Sequence, residues 1–388
     1  MKSWVEISRA RLKENFRAVQ SAAGAGVEVL AVVKANGYGH DAAICAMALV
    51  EAKARWLGVS DVEEGARVRE QLGESVTRLL VMCGMEQGDA SAMVQHGLTP
   101  VVWTVEHVAA MERAARASGQ RAKVHLEIDT GMSRQGTQVG EELAAVVERL
   151  SASRWVHCEG VMSHLSSAEV AWSKITENQR ENFERGIAQV RSAGIEPELL
   201  HLGNSSAVDE GSTMGWVRET AKQIGAKAMV RTGLAVYGMC LPVEGPNGKT
   251  KKGSLAVKLK PALTWKTHVT GVREIAKGTT VGYGATFTAQ RKMRIALVPV
   301  GYADGFRREA SSGIGDGWVM IAGKKARVVG RVSMNLTTVD VTGIDGVHVG
   351  SEVVLLGEGV CAEDHAQWAG TIAYDILCGV KGKFVSRG

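Results

Sequence analysis

The residues best placed to do chemistry sit where an apolar run stops. In Val29-Leu30-Ala31-Val32-Val33-Lys34-Ala35-Asn36-Gly37-Tyr38-Gly39-His40 a β-branched run reads as a buried strand, with Lys34 at its end. Lysine is rarely buried without a partner, and partial desolvation favours an uncharged amine. Such an amine can form a Schiff base with an aldehyde. An isolated strand-end lysine is more often an ordinary surface residue. Here glycines and Tyr38 follow at once, supplying a tight turn and a phenol beside the amine.

Elements of a definite kind must position that lysine. From residue 27 to about 240, eight short apolar runs alternate with helical stretches: Val29–Lys34, Trp56–Ser60, Leu79–Met82, Pro100–Trp103, Val124–Asp129, Gly160–His164, Leu199–Leu202 and Met229–Thr232. Ala- and Glu-rich segments such as Val105–Ala117 and Glu141–Leu150 fill several spacers. Alternation of this kind implies a parallel sheet, and eight units suit a closed (β/α)8 TIM-type barrel. A doubly wound open sheet is the alternative, but no G-x-G-x-x-G follows the first strand. The character changes near Leu241-Pro242, where a polar turn-rich loop, Gly245–Gly253, precedes β-branched runs cut by glycines. The expected α/β architecture is a barrel over 1–241 followed by a mostly antiparallel β domain over 242–388. The first half of Glu363–Cys378 reads as helical.

A barrel builds its site at the C-terminal strand ends. Those ends carry Lys34, Arg134 past strand five, His164 at strand six, Asn204-Ser205 after strand seven, and Arg231-Thr232-Gly233 at strand eight. Singly, each has a plain reading: a solvated arginine, a core histidine, a helix cap. Their shared rim is what singles them out. Barrel phosphate sites commonly use the loops after strands seven and eight, here Ser205 and the amides around Gly233-Leu234, where glycine lets N–H groups approach an anion. A lysine at one end and a phosphate cradle at the other describe pyridoxal 5′-phosphate. The β domain adds Tyr283 between Gly282 and Gly284, and the Gly-led turn Gly330–Asn335.

Composition bounds the remaining classes. The 388 residues favour two domains. A net charge of +5 with dispersed Lys and Arg gives no basic stripe for nucleic acid. The N-terminus lacks an apolar signal region, and no run is long enough to span a membrane. Six scattered cysteines without C-x-x-C spacing argue against a zinc site and a disulfide framework, and no metal is expected. A reducing cytoplasm fits this pattern.

Over nearly its whole length the chain resembles alanine racemase. The motifs that carry the resemblance are Ala31–His40, Asp129-Thr130-Gly131-Met132-Ser133-Arg134, Arg231-Thr232-Gly233, Gly282-Tyr283-Gly284-Ala285-Thr286, Gly301-Tyr302-Ala303-Asp304-Gly305 and Gly330-Arg331-Val332-Ser333-Met334, all in order. The resemblance implies a pyridoxal phosphate-binding barrel in a head-to-tail homodimer, with each site completed by the partner's β domain. Lys34 then corresponds to the Schiff-base lysine and the base for the D-enantiomer, and Tyr283, reaching in from the partner, to the base for the L-enantiomer. Tyr38, Ser205, Gly233, Leu234 and Tyr374 match phosphate-site positions. Arg134 and the Met334 amide match contacts to the substrate carboxylate. His164 matches a histidine linked to the catalytic tyrosine through an arginine at the Arg231 position. The implied role is supply of D-alanine for peptidoglycan.

Two departures from the family pattern stand out. Glu127 replaces a lysine that is often carbamylated, and Asn335 replaces an aspartate. Glu127 shares a strand face with Asp129 and is expected to orient Arg134 as an anion. Asn335 keeps open a serine or broader-specificity racemase of the same fold. A decarboxylase of that fold is disfavoured by the intact Tyr283 motif, and a lone-barrel cofactor carrier by the second domain.

Overall fold

The computed structural model describes residues 2–86 and 88–388. Two compact units emerge: one comprises Arg11–Gly37 and Cys45–Lys260, the other the segment up to Ala10, Tyr38–Ile44 and Pro261–Gly388.

The first unit is the barrel. Strand β1, Ser3–Ser8, lies outside it. Its strands are β2 (Glu28–Val32), β3 (Trp56–Val59), β4 (Arg78–Val81), β5 (Leu98–Val102), β6 (Ala122–Asp129), β8 (Val156–Met162), β9 (Leu199–Gly203) and β10 (Lys227–Thr232), with a two-residue strand β7 (Thr137–Gln138) beside β6. All eight pair in parallel, and β10 returns to β2, so the sheet closes. Closure buries both faces, which is why these strands read as continuous apolar runs. Local chemistry starts the intervening helices. Asp61 accepts the Glu64 amide at 2.8 Å ahead of Val62–Leu72, and Thr104 accepts the His107 amide at 3.1 Å ahead of Val105–Ser118. The segment after Tyr237 stays with the barrel through Lys260. Asp209 fastens it by accepting the Leu255 and Ala256 amides at 2.8 and 2.9 Å.

The second unit holds a six-stranded sheet in the order Lys324–Arg327, Trp318–Ile321, Glu352–Leu356, Leu263–His268, β1, Lys383–Arg387. A three-stranded antiparallel sheet joins Gly271–Ile275, Met293–Val298 and Thr337–Asp340. Strand β1 runs antiparallel to Leu263–His268 and parallel to Lys383–Arg387. It therefore belongs with the C-terminal sheet, whereas the sequence reading placed it with the barrel. Its burial alternates strictly, Val5 and Ile7 inward, a period-two signal present in Trp4-Val5-Glu6-Ile7. The stretch read as half-helical is two helices, Ala362–Ala369 and Ala373–Gly379, separated at Gly370 by a left-handed cap with φ of 63°.

Candidate active site

Strand β2 delivers Lys34 to the barrel's C-terminal rim, where the chain turns the rare way. Ala35, Asn36, Gly37, Tyr38 and Gly39 have φ values of 53°, 53°, 65°, 52° and 75°, a left-handed helical turn. This hand costs an L-residue about 1–2 kcal/mol per position, so the surroundings must impose it. The Gly37 amide donates to Val33 O at 2.8 Å. The Asn36 amide donates to Glu64 Oε1 at 3.0 Å, while Glu64 Oε2 accepts the Ser60 amide at 2.8 Å and its hydroxyl at 2.7 Å. Glu64 is thus a buried clamp that the sequence motif did not reveal.

Arg231, at the end of β10, is 5 % exposed. Its Nη2 donates to Ser163 O at 2.8 Å and to His164 Nδ1 at 2.9 Å, and its Nη1 to His201 Nδ1 at 3.1 Å. Burial brings its pKa down to about 10, with Glu127 attracting and Arg134 repelling the charge. Burial also pushes His164 down to about 3, reinforced by the positive charges of Arg231, Arg134 and Lys34. Lys34, Arg134, His164 and Arg231 therefore share one electrostatic neighbourhood.

The loops after β9 and β10 meet at Ser205. Its Oγ accepts the Gly233 amide at 3.2 Å and the Ala235 amide at 3.3 Å. A hydroxyl has two lone pairs and one proton. With both lone pairs engaged, its proton is left to donate to an anion. Asn204 caps the helix Ser205–Glu210, accepting the Ala207 amide at 3.0 Å, and Leu234 opens the short turn Leu234–Tyr237. An amine, a donating hydroxyl held by the Gly233 loop and a donor-only guanidinium fit the aldehyde, phosphate and ring nitrogen of a phosphorylated pyridine aldehyde. Among the described residues no His, Cys, Asp and Glu group is arranged to hold a metal.

Arg134 is exposed and lines a cleft of about 320 Å³ with Trp103, Asp129 and Gln135. The expectation for Glu127 is corrected here. It is buried, and its carboxylate accepts a hydrogen bond from Gln135 Nε2, whose amide also donates to Met82 O at 2.7 Å. Burial raises the Glu127 carboxyl instead of lowering it, and the cation that offsets this most is Arg231, ahead of Arg134.

The second unit carries the remaining candidates. Tyr38 and Tyr374 have ring centroids 6.0 Å apart. Tyr283 is 72 % exposed and Met334 57 %. Tyr283 stands between Gly282 and Gly284, with φ of 78° and 72°, a backbone that leaves the phenol little local packing. Met334 O and Ser333 O accept the amides of Ala303 and Tyr302 at 3.0 and 3.1 Å.

Comparison with known proteins decides the family. The family described as alanine racemase, N-terminal domain, matches residues 7–240, and that described as alanine racemase, C-terminal domain, matches 262–387. The chain belongs to the alanine racemase family. It is 37 % identical over 382 residues to the alanine racemase of Symbiobacterium thermophilum, covering 97 % of this chain and 94 % of that one. It superposes on alanine racemase from D-cycloserine-producing Streptomyces lavendulae with a TM-score of 0.88 and 32 % identity, covering 100 % and 97 % of the two chains. It matches the Bartonella henselae alanine racemase, described with covalently bound pyridoxal phosphate, with a TM-score of 0.83 and 26 % identity over all of both chains.

Within the alanine racemase frame, Asn335 has a local explanation. Its Nδ2 donates to Asp304 Oδ2 at 3.3 Å, and that carboxylate also accepts the Gly301 amide at 3.0 Å and pairs with Lys2 at 2.7 Å. An aspartate at 335 would face Asp304 as a like charge. Sequence reading missed Glu64, Gln135 and the buried His201, because their roles depend on partners distant along the chain.

Proposed function

We propose that this racemase interconverts L-alanine and D-alanine by two bases on opposite faces of the substrate. Pyridoxal phosphate is its cofactor, and when bound it supplies the electron sink that acidifies the α-hydrogen. Lys34 would hold it covalently and serve the D-enantiomer, while Tyr283 of the partner subunit would serve the L-enantiomer. Ser205, held by the Gly233 amide, would bind the phosphate together with the Leu234 amide and the phenols of Tyr38 and Tyr374. Asn204 would fix the Ser205 loop. Arg134 and the Met334 amide would orient the substrate carboxylate.

The observation that carries this reading is Arg231. A buried guanidinium, bonded to carbonyls and neutral imidazoles, cannot accept a proton. At the ring nitrogen it would keep that atom unprotonated, limiting electron withdrawal and favouring reprotonation at the α-carbon over transamination. The exposed Tyr283 and Met334 support a homodimer in which the β unit that carries them completes the partner's barrel. No helix among the described residues is long and apolar enough to cross a membrane. We place the enzyme in the cytoplasm from its scattered cysteines, making D-alanine for peptidoglycan, with no nucleic-acid partner.

A racemase assay on L-alanine, L-serine and L-lysine tests the proposal. L-alanine should turn over fastest. Faster turnover of L-serine would favour the broader-specificity alternative, and carbon dioxide release would replace both with a decarboxylase.

A further inference from the structure

The barrel interior holds a line of buried polar groups that the reading above leaves unused. Glu159, His125 and His201 are at most 2 % exposed. From Arg231, the line runs through His201 Nδ1 at 3.1 Å, from His201 Nε2 to His125 Nδ1 at 2.9 Å, and from His125 Nε2 to Glu159 Oε2 at 3.4 Å. Its direction follows from donor chemistry. A guanidinium only donates, so His201 Nδ1 bears the lone pair and Nε2 the proton. His125 Nδ1 must then accept, which leaves its own proton on Nε2, toward the carboxylate. A second proton on either ring would set N–H against N–H.

The backbone is shaped around this line. Val124 pairs with Cys158 and His125 with Gly160, so Glu159 is the extra residue of a bulge, a device that re-aims a side chain. A Cβ on Gly160 would stand 2.9 Å from the His125 ring. At the far end Glu159 accepts from Lys123 at 2.6 Å and from Arg78, whose guanidinium lies 4.2 Å from the centre of the Trp56 ring. Glu159, Arg78 and Trp56 line a cavity of about 830 Å³ at the N-terminal strand ends. Burial alone would raise the Glu159 carboxyl, but the bonds from His125, Arg78 and Lys123 outweigh it and hold the group well below the usual range.

We propose that Glu159 is a positioning residue for Arg231, acting through His125 and His201 to fix which ring nitrogens carry lone pairs and so hold the guanidinium in one orientation. The proposal rests on Arg231 lying at the cofactor ring. The competing role is a plain ion pair with Arg78 and Lys123.

Two substitutions separate these roles in the holoenzyme. Glu159→Gln keeps an oxygen acceptor for His125 but removes the charge, whereas Glu159→Leu removes both. Imidazole 15N NMR of the wild-type protein should show His125 and His201 neutral and protonated at Nε2. Glu159→Gln should preserve that pattern and keep kcat within about threefold. Glu159→Leu should scramble it and lower kcat about tenfold, the scale of one charge-assisted hydrogen bond, with KM for alanine little changed. Lys123→Met, which removes only an ion pair, should retain kcat. A wild-type ring protonated at Nδ1 overturns the proposal however the variants fold. Equal losses in Glu159→Gln and Glu159→Leu, or a loss of the same size in Lys123→Met, assign Glu159 to the ion pair instead. If the wild type does not racemise alanine, the functional reading fails, and the ring protonation is still decided by the spectrum.

Discussion

Arg231 donates through Nη2 to His164 Nδ1 at 2.9 Å, and this one bond assigns the protonation of both partners. Arginine has no lone pair to offer, so His164 is the acceptor, neutral and protonated at Nε2. Burial and the nearby cations push its pKa to about 3, against an ordinary value of 6.5.

That depression predicts acid sensitivity. Where the unfolded chain binds a proton that the folded chain refuses, stability falls as pH falls. The contribution of His164 is complete above pH 6.5 and is lost progressively as pH drops toward 3. Urea midpoints should therefore decline from pH 6.5 to 4, by up to about 1.4 kcal/mol per pH unit for each such proton. His164→Gln, which retains an acceptor for Arg231, should flatten the decline. An unaltered slope would show that His164 titrates normally.

The second prediction concerns Lys34. Purified enzyme should be yellow, and borohydride should fix the cofactor to Lys34, as read by peptide mass. Attachment at another lysine would contradict the assignment made from the end of β2.

Tyr283 is tested by removing one oxygen. Tyr283→Phe should slow racemisation by about 10²–10⁴, the usual scale for a lost general base, while cofactor absorbance persists. If Tyr283 serves the partner's barrel, mixing inactive Lys34→Ala and Tyr283→Phe chains should restore activity, because each heterodimer would then hold one intact site. No recovery despite demonstrated subunit exchange would place both bases in one chain.

Glu127 separates two electrostatic roles. Its hydrogen bond goes to Gln135, and Arg231 is the cation it senses most. Glu127→Gln should lower kcat by about three- to tenfold with a smaller effect on KM for alanine. A rise in KM alone would restore the expectation that Glu127 orients Arg134.

The eight barrel strands were legible because a closed parallel sheet buries both strand faces, leaving apolar runs such as Leu79–Val81 and Val101-Val102 that any reader of the chain can see. The placement of Lys34, His164, Ser205 and Arg231 at strand ends was legible for the same reason: run boundaries are local. Strand β1 was placed with the barrel instead, because its alternation is short and its partners, Leu263–His268 and Lys383–Arg387, lie near the other end of the chain. Nor could sequence reveal the partners of buried polar groups. His125 and His201 are 76 residues apart, and Glu159 is turned toward His125 by a bulge that exists only once β6 and β8 pair. Apolar burial is written residue by residue in the chain, whereas a hydrogen bond between distant side chains depends on register, which only strand pairing sets.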